Sequence, residues 1–341
     1  MMDASYLLIS TLNGLSVGLL LFMLASGLTL IFSMMGVLNF AHASFYMLGA
    51  YFAYTITGLV GFWWALLLAP PLVGALGALF ERSALRRVHK FGHVPELLIT
   101  FGASYIILEL VQLVWGRQAV DFKPPAALAG SLFTIVSQPE GLSLAWGGKP
   151  ALCTAAAAIC TTFPAFRAFG MAIAVLMLVA VWVVLTRTRI GLVIQASLTH
   201  PQMVEALGHN VPRVFMLVFG AGTALAALAG VIGGALRVTE PSMAQAVGAV
   251  VFAVIVIGGM GSLAGAFVAS VGLGIIESFA VSSDHSISDG LKALGMAVSP
   301  ETFGYAVWSV KLSQIAAILP YLLLVLILIF RPKGLFGTRE G

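Results

Sequence analysis

The feature that most limits what this chain can fold into is a run of 77 residues, 4–80, without a single Asp, Glu, Lys or Arg. At about 20 residues per bilayer crossing, such a run holds three helices and their turns. Further charge-free runs occupy 168–186, 214–236, 241–276 and 312–330, and 97–116 is interrupted only by Glu109. Charged residues make up 9% of the chain, against about 25% in a soluble domain. Hydrophobic residues reach 60%, more than one soluble core absorbs. A cytosolic enzyme and a disordered protein are both excluded, and the excess apolar surface must face lipid.

Breaking the long runs at Gly, Pro and polar clusters gives spans near 12–32, 42–60, 62–80, 96–115, 168–186, 213–236, 243–258, 263–281 and 313–330. The expected fold is therefore all-α, a polytopic bundle of about nine spans (eight to ten). Segments 42–60 and 243–258 are the candidates for half-helices or re-entrant pieces. With nine spans, ten of the 17 Lys and Arg fall on one side, concentrated in 81–95, 187–213 and the tail. The other seven are spread over long loops, which orient a chain weakly. The expected topology has the N-terminus outside and the C-terminus cytoplasmic, with no cleavable secretory leader. Residues 1–341 then form a single membrane-embedded domain. It carries an external loop at 116–167, a cytoplasmic loop at 187–213 and an external loop at 282–312. The net charge of +4 flanks the membrane, so no patch for nucleic acid is expected.

Loop 116–167 contains five prolines and reads as a folded external segment. Within it, 151–162 is apolar but too short to span, and is expected to be an interfacial helix. On such a helix Cys153 and Cys160 lie roughly 10 Å apart, too far for a disulfide. They are expected to be small buried residues.

The chain lacks the G-x-x-x-x-G-K-[ST] loop that cradles nucleotide phosphates, and it lacks H-E-x-x-H. His89 and His93 have i,i+4 spacing but sit in a basic turn without a third ligand nearby, so a solvated loop is expected. Residues 258–265 are glycine-rich but follow a membrane segment, which makes them a tight turn between helices. Gly14/Gly18, Gly230/Gly234 and Gly261/Gly265 are small-xxx-small pairs that let helix backbones approach in lipid. Intramembrane polar groups are rarer. Asn39 and His42 stand at the junction of the first two spans, and Glu109 and Glu277 lie in the outer third of theirs, where Arg237 is a possible partner of a carboxylate.

In loop 187–213, Thr199-His-Pro-Gln202 has the form of a capping box. A short helix over 200–207 would then stop at Gly208, with Met203, Val204, Ala206 and Leu207 crowding one side beside Glu205. A short apolar-striped helix held out in water docks into another protein or lies flat on the bilayer.

The residues also carry a family resemblance. The run from Gly27 to His42, continuing through Phe45-Tyr-Met-Leu-Gly-Ala-Tyr51, resembles the opening signature of the branched-chain amino-acid permeases of ABC importers. Glu205-Ala-Leu-Gly208 with Asn210-Val-Pro-Arg213 resembles that family's ATPase-contacting loop. Val256 to Ala266 resembles its glycine turn, and Phe330 to Phe336 its ending. His42-Ala43 departs from the usual His-Gly, and loop 116–167 is longer than usual.

The resemblance implies a permease subunit of the bacterial inner membrane, without a cofactor of its own. It implies a second related permease chain, two cytoplasmic ATPases that carry ATP and Mg, and a periplasmic binding protein. The expected cargo is a branched-chain or other small amino acid or related organic acid, with urea or amides and aromatic acids left open. The expected pathway residues are Asn39, His42, Phe45, Glu109 and Glu277. Met203, Val204, Glu205, Ala206, Leu207 and Gly208 are the expected coupling residues. No catalytic residue and no metal site is expected. The competing reading is a stand-alone secondary transporter or channel, which needs an ion-coupling pair at mid-membrane and no ATPase dock.

Overall fold

In the computed structural model the 77-residue run becomes three helices: α1 (Ala4–Met35), α2 (His42–Val60) and the apolar part of α3 (Phe62–His89). The structure describes residues 4–36, 38–138, 141–148, 153, 159–293, 295, 299, 301–303 and 305–337. The later spans are α4 (His93–Trp115), α5 (Ala165–Arg187), α8 (Val211–Leu236), α10 (Leu263–Ser282) and α11 (Leu312–Phe330). Between α5 and α8 lie two shorter helices, α6 (Arg189–Thr199) and α7 (Pro201–Ala206). Helix α9 (Met243–Gly258) is apolar but 16 residues long. Among the described residues, eight helices are thus long enough to cross a membrane, with α9 as a shorter ninth. The chain is a polytopic helical bundle, as its sequence indicates, and a multi-pass membrane protein.

Two helices form the centre. In the most apolar stretch of α1, 72% of residues are buried, and of α8, 61%, against 11% for α4 and α11. Lipid offers no hydrophobic drive for helices to associate, so close packing of small residues has to supply it. Gly14 and Gly18 of α1 meet α10 so closely that an added Cβ would stand 2.6 Å from Ile275 Cα and 2.7 Å from Val271 Cα. Gly49 of α2 abuts Ala227 of α8, and Gly77 of α3 abuts Thr223. Gly230 and Gly234 likewise receive Tyr46 and Ala50. In the third pair, Gly265 touches Gly258, whereas Gly261 is loosely packed.

The connections sort onto two ends. At one end, Val120 bridges Thr239, and the 116–164 segment carries a sheet. At the opposite end, Arg86 donates to the Pro212 carbonyl, Ser33 donates to the Gly261 carbonyl, and Leu335 N–H donates to Ile257 O. Residues 259–262 turn tightly there, with Gly259 and Gly261 at φ of 101° and 86°, and the Ser262 hydroxyl caps α10 at Gly265 N.

The sheet overturns one expectation. Strands β1 (Ser131–Gln138), β2 (Gly141–Trp146) and β3 (Ile159–Pro164) form an antiparallel sheet in the order β2-β1-β3. Its inner face sets Ile135 and Phe163 on Ile9, and so rests on the end of α1. The segment 151–162 is therefore not one interfacial helix: its last four residues pair with β1, Val136 opposite Cys160. Of the remainder, only Cys153 is among the described residues. The inference from helical spacing also fails, because Cys153 and Cys160 are disulfide-bonded, with Cα atoms 5.8 Å apart. Cys160 lies in β3 and not on a helix, so the helical rise per residue does not set the distance to Cys153.

Candidate functional site

Helix α1 is about 48 Å long, well beyond the ~30 Å hydrocarbon thickness, and the chain turns back at 36–41. Helix α2 then starts against the middle of α1: His42 Nε2 lies 3.0 Å from Leu24 O, and its Cε1 sits beside Gly27. Leu24 is eleven residues before the end of α1, roughly 16 Å back along the axis. The junction of the first two spans is thus folded into the bundle. Asn39 shapes it by accepting the Ala41 N–H on Oδ1 (3.1 Å), and Thr100 of α4 accepts the Phe40 N–H at 3.4 Å.

A cavity of about 420 Å³ opens over this junction, between α1, α2, α4, α9 and α11. Asn39 and His42 line it together with apolar groups such as Leu28, Phe101, Phe252 and Leu324, and none of its lining residues carries a fixed charge. Asn39 and His42 are 3% and 1% exposed, yet Asn39 Nδ2 and His42 Nδ1 have no hydrogen-bond partner. A buried polar atom without a partner costs about 1–3 kcal/mol, so such a pair beside a cavity marks a place where something polar belongs.

The other expected pathway residues lie elsewhere. Phe45 is buried between Phe80 and Phe219, one turn past the cavity. Glu109 is exposed on the outer face of α4, and Glu277 is half-buried on α10. Among the described residues no ion pair joins Glu277 to Arg237. The sequence reading missed several lining residues from α4, α9 and α11, including Ser104, Tyr105 and Gln245. Nothing in the local sequence signals which helix neighbours which.

The 187–213 loop is more ordered than its sequence suggests. Helix α6 is capped by Thr188, whose hydroxyl accepts the Gly191 N–H, and turns Gly191, Ile194 and Ser197 inward. The expected capping box does not form: Thr199 ends α6, its hydroxyl bonding Ala196 O, and His200 precedes α7 without a side-chain cap. The far end forms as the sequence indicates. Gly208 has φ 85°, its N–H reaches Glu205 O (2.9 Å), and His209 N–H reaches Val204 O (3.1 Å), the paired bonds of a Schellman ending. Val204 does not join the apolar stripe; it is 3% exposed and fastens α7 to the bundle. Met203 and Leu207 project outward at 68% and 80% exposure, with Glu205 and Ala206 also exposed. Asn210 Oδ1 then caps α8 by accepting the Arg213 N–H.

Two buried carboxylates at this end escaped the sequence reading. Glu81 is gripped by Arg86 through two bonds (2.7 and 3.1 Å), and the same guanidinium holds Pro212 O at 2.6 Å. Glu96 is 1% exposed and receives His89 Nδ1 on one oxygen, with His93 Nδ1 3.4 Å from the other. The two histidines are therefore not a purely solvated pair, although among the described residues no set of three or more ligands suits a metal ion.

A helical bundle of span-length helices enclosing an uncharged, mostly apolar cavity has the architecture of a membrane transport protein. Residues 10–328 match the family model described as branched-chain amino acid transport system / permease component. The chain belongs to that family. It is 28% identical to the LivH permease of the high-affinity branched-chain amino acid transport system of Escherichia coli, covering 98% of this chain and 97% of that one. Identity to BraD of Pseudomonas aeruginosa is 25%, over 96% and 95% of the two chains. A probable branched-chain amino acid permease of Methanocaldococcus jannaschii is 28% identical over 76% of each. No solved structure matches.

Proposed function

We propose that this chain is the membrane-spanning subunit of an ATP-driven importer for branched-chain or other small aliphatic amino acids, set in a bacterial inner membrane. The observation that carries the reading is α7, whose outward Met203 and Leu207 and whose Schellman ending make a rigid apolar knob at the end opposite the sheet. That end also bears the concentrated Lys and Arg of 81–95 and 187–213, which favours the cytoplasm. The disulfide at the other end belongs in an oxidising compartment. Two ATPase subunits would take the α7 knob, and a periplasmic binding protein would deliver cargo to the sheet end. A second permease chain would cover Glu109, since a carboxylate on an exposed face of an apolar helix is costly against lipid.

The cavity is the passage in this reading. Closure of the ATPases moves α7, and Arg86 passes the movement from Pro212 to α3, biasing a two-state bundle. A secondary transporter would instead place a charged coupling pair in the cavity, and its lining offers none. Co-expression with candidate ATPase and binding-protein subunits tests the reading. ATP-dependent uptake of leucine into vesicles is expected, and uptake that proceeds without ATPase subunits would overturn it.

A further inference from the structure

We infer that the junction of α1 and α2 is a binding subsite for a free amino acid, in which Asn39 takes the carboxylate and His42 takes the ammonium group. The inference rests on the importer reading above and adds the chemistry of the passage.

The hydrogen atoms decide the assignment. Ala41 N–H must donate, so the Asn39 atom facing it is Oδ1, and the amide left unpartnered is the Nδ2 donor. Leu24 O must accept, so His42 carries its proton on Nε2, and in the neutral ring Nδ1 is an acceptor. One orphan donor and one orphan acceptor therefore stand three residues apart in sequence and line one cavity.

A helix end gives the pair its polarity. Helix α2 starts at this junction with no side-chain cap, so its positive end faces the region of the Asn39 amide. A broken helix with its N-terminus at mid-depth favours an anionic group on a substrate. The ammonium group belongs on Nδ1, the one buried acceptor without a partner among the described lining side chains. Leu28, Phe101, Val251, Phe252 and Leu324 supply an apolar wall for the ligand side chain. With no fixed charge in the lining, a zwitterion of zero net charge fits better than a cationic or dianionic amino acid.

The test uses the permease–ATPase complex, purified without binding protein, and measures binding of leucine and of 4-methylpentanoate, which has the same side chain without the ammonium group. Asn39→Asp keeps the acceptor for Ala41 N–H but removes the donor, and Asn39→Ser withdraws the donor from the Nδ2 position by shortening the side chain to a single hydroxyl. Each is expected to weaken leucine binding by at least about tenfold. His42→Gln keeps a donor for Leu24 O and leaves no acceptor at the Nδ1 position, because its Oε1 sits on the same terminal amide as that donor. It is expected to lower the leucine preference over 4-methylpentanoate by about tenfold. Retention of the ATPase subunits on purification is the folding control.

If the assembled Asn39 variants bind leucine as the parent does, or if His42→Gln weakens both ligands alike, the subsite is overturned. It is overturned as well if the parent complex binds no leucine yet imports it when the binding protein is added. Loss of ATP-driven leucine uptake by the parent with all partners present would instead overturn the importer reading.

Discussion

Gly230 of α8 lies so close to Tyr46 of α2 that a Cβ on the glycine would stand 2.0 Å from the Tyr46 carbonyl oxygen. The obstacle is backbone, which has no rotamer to change, so the helices would have to separate. Gly230→Ala is expected to destabilise the bundle by about 1–3 kcal/mol, as overpacking does elsewhere. Thermal unfolding in detergent measures it. Gly272 of α10 has nothing within 4 Å of the same position, and Gly272→Ala is expected to leave the melting temperature unchanged or raise it. Equal behaviour of the two variants would show that the close approach does not carry α2 on α8.

Arg86 is the link between α3 and the start of α8, and it neutralises Glu81, which is 1% exposed. Removing the cation leaves a buried carboxylate without a counter-charge. Arg86→Ala is therefore expected to cost about 3 kcal/mol, and adding Glu81→Gln should restore part of that. Detergent melting of both single variants and the double reads the coupling. If Arg86→Ala costs nothing measurable, the pair is not a structural tie.

The spans were legible because burial in lipid forbids charge for about 20 residues at a time, and that pattern survives in one dimension. Of the two segments suspected as short pieces, 243–258 is the short ninth helix, whereas 42–60 is long enough to cross. The junction at Asn39 and His42 was legible as polar groups in an apolar run, and both line the cavity. The sheet was not. Ala155 to Ala158 read as helix, which concealed the β-prone Ile159-Cys-Thr-Thr-Phe-Pro beside them. Strand pairing with β1, more than 20 residues away in sequence, decides the outcome. Glu81 and Glu96 were missed for a similar reason: in a basic segment they look solvated, and only the folded neighbours show that they are buried.

Sidedness gives a second test of the bundle. The chain has only two cysteines, and both are in the disulfide, so an introduced thiol labels against a silent background. Cysteine in place of Arg87 is expected to react with a membrane-impermeant reagent only from the cytoplasmic side. Cysteine in place of Lys292 is expected to react only from outside. Labelling of both from one side would remove the topology on which the direction of transport rests.

The coupling reading depends on two separable properties of α7. Its shape is fixed at Gly208, whose φ of 85° a β-branched residue resists by roughly 1–2 kcal/mol. Gly208→Val should therefore misdirect the chain leading to Asn210 and α8, lowering ATPase stimulation and stability together. Its contact surface is separate. Leu207 is 80% exposed and Met203 68%, so truncating either removes nothing the chain itself packs against. Leu207→Ala is expected to leave the melting temperature of the isolated permease unchanged while weakening ATPase binding by about 1–3 kcal/mol. Val204 is the internal control, because at 3% exposure its truncation should destabilise the permease itself. Glu205→Lys should weaken binding more than Glu205→Ala if the partner offers a basic group, since it replaces attraction with repulsion. Co-purification and substrate-stimulated ATP hydrolysis in vesicles measure both. Normal binding and stimulation with both Leu207→Ala and Glu205→Lys would show that α7 is not the coupling element, leaving the ATP-driven reading to rest on family membership.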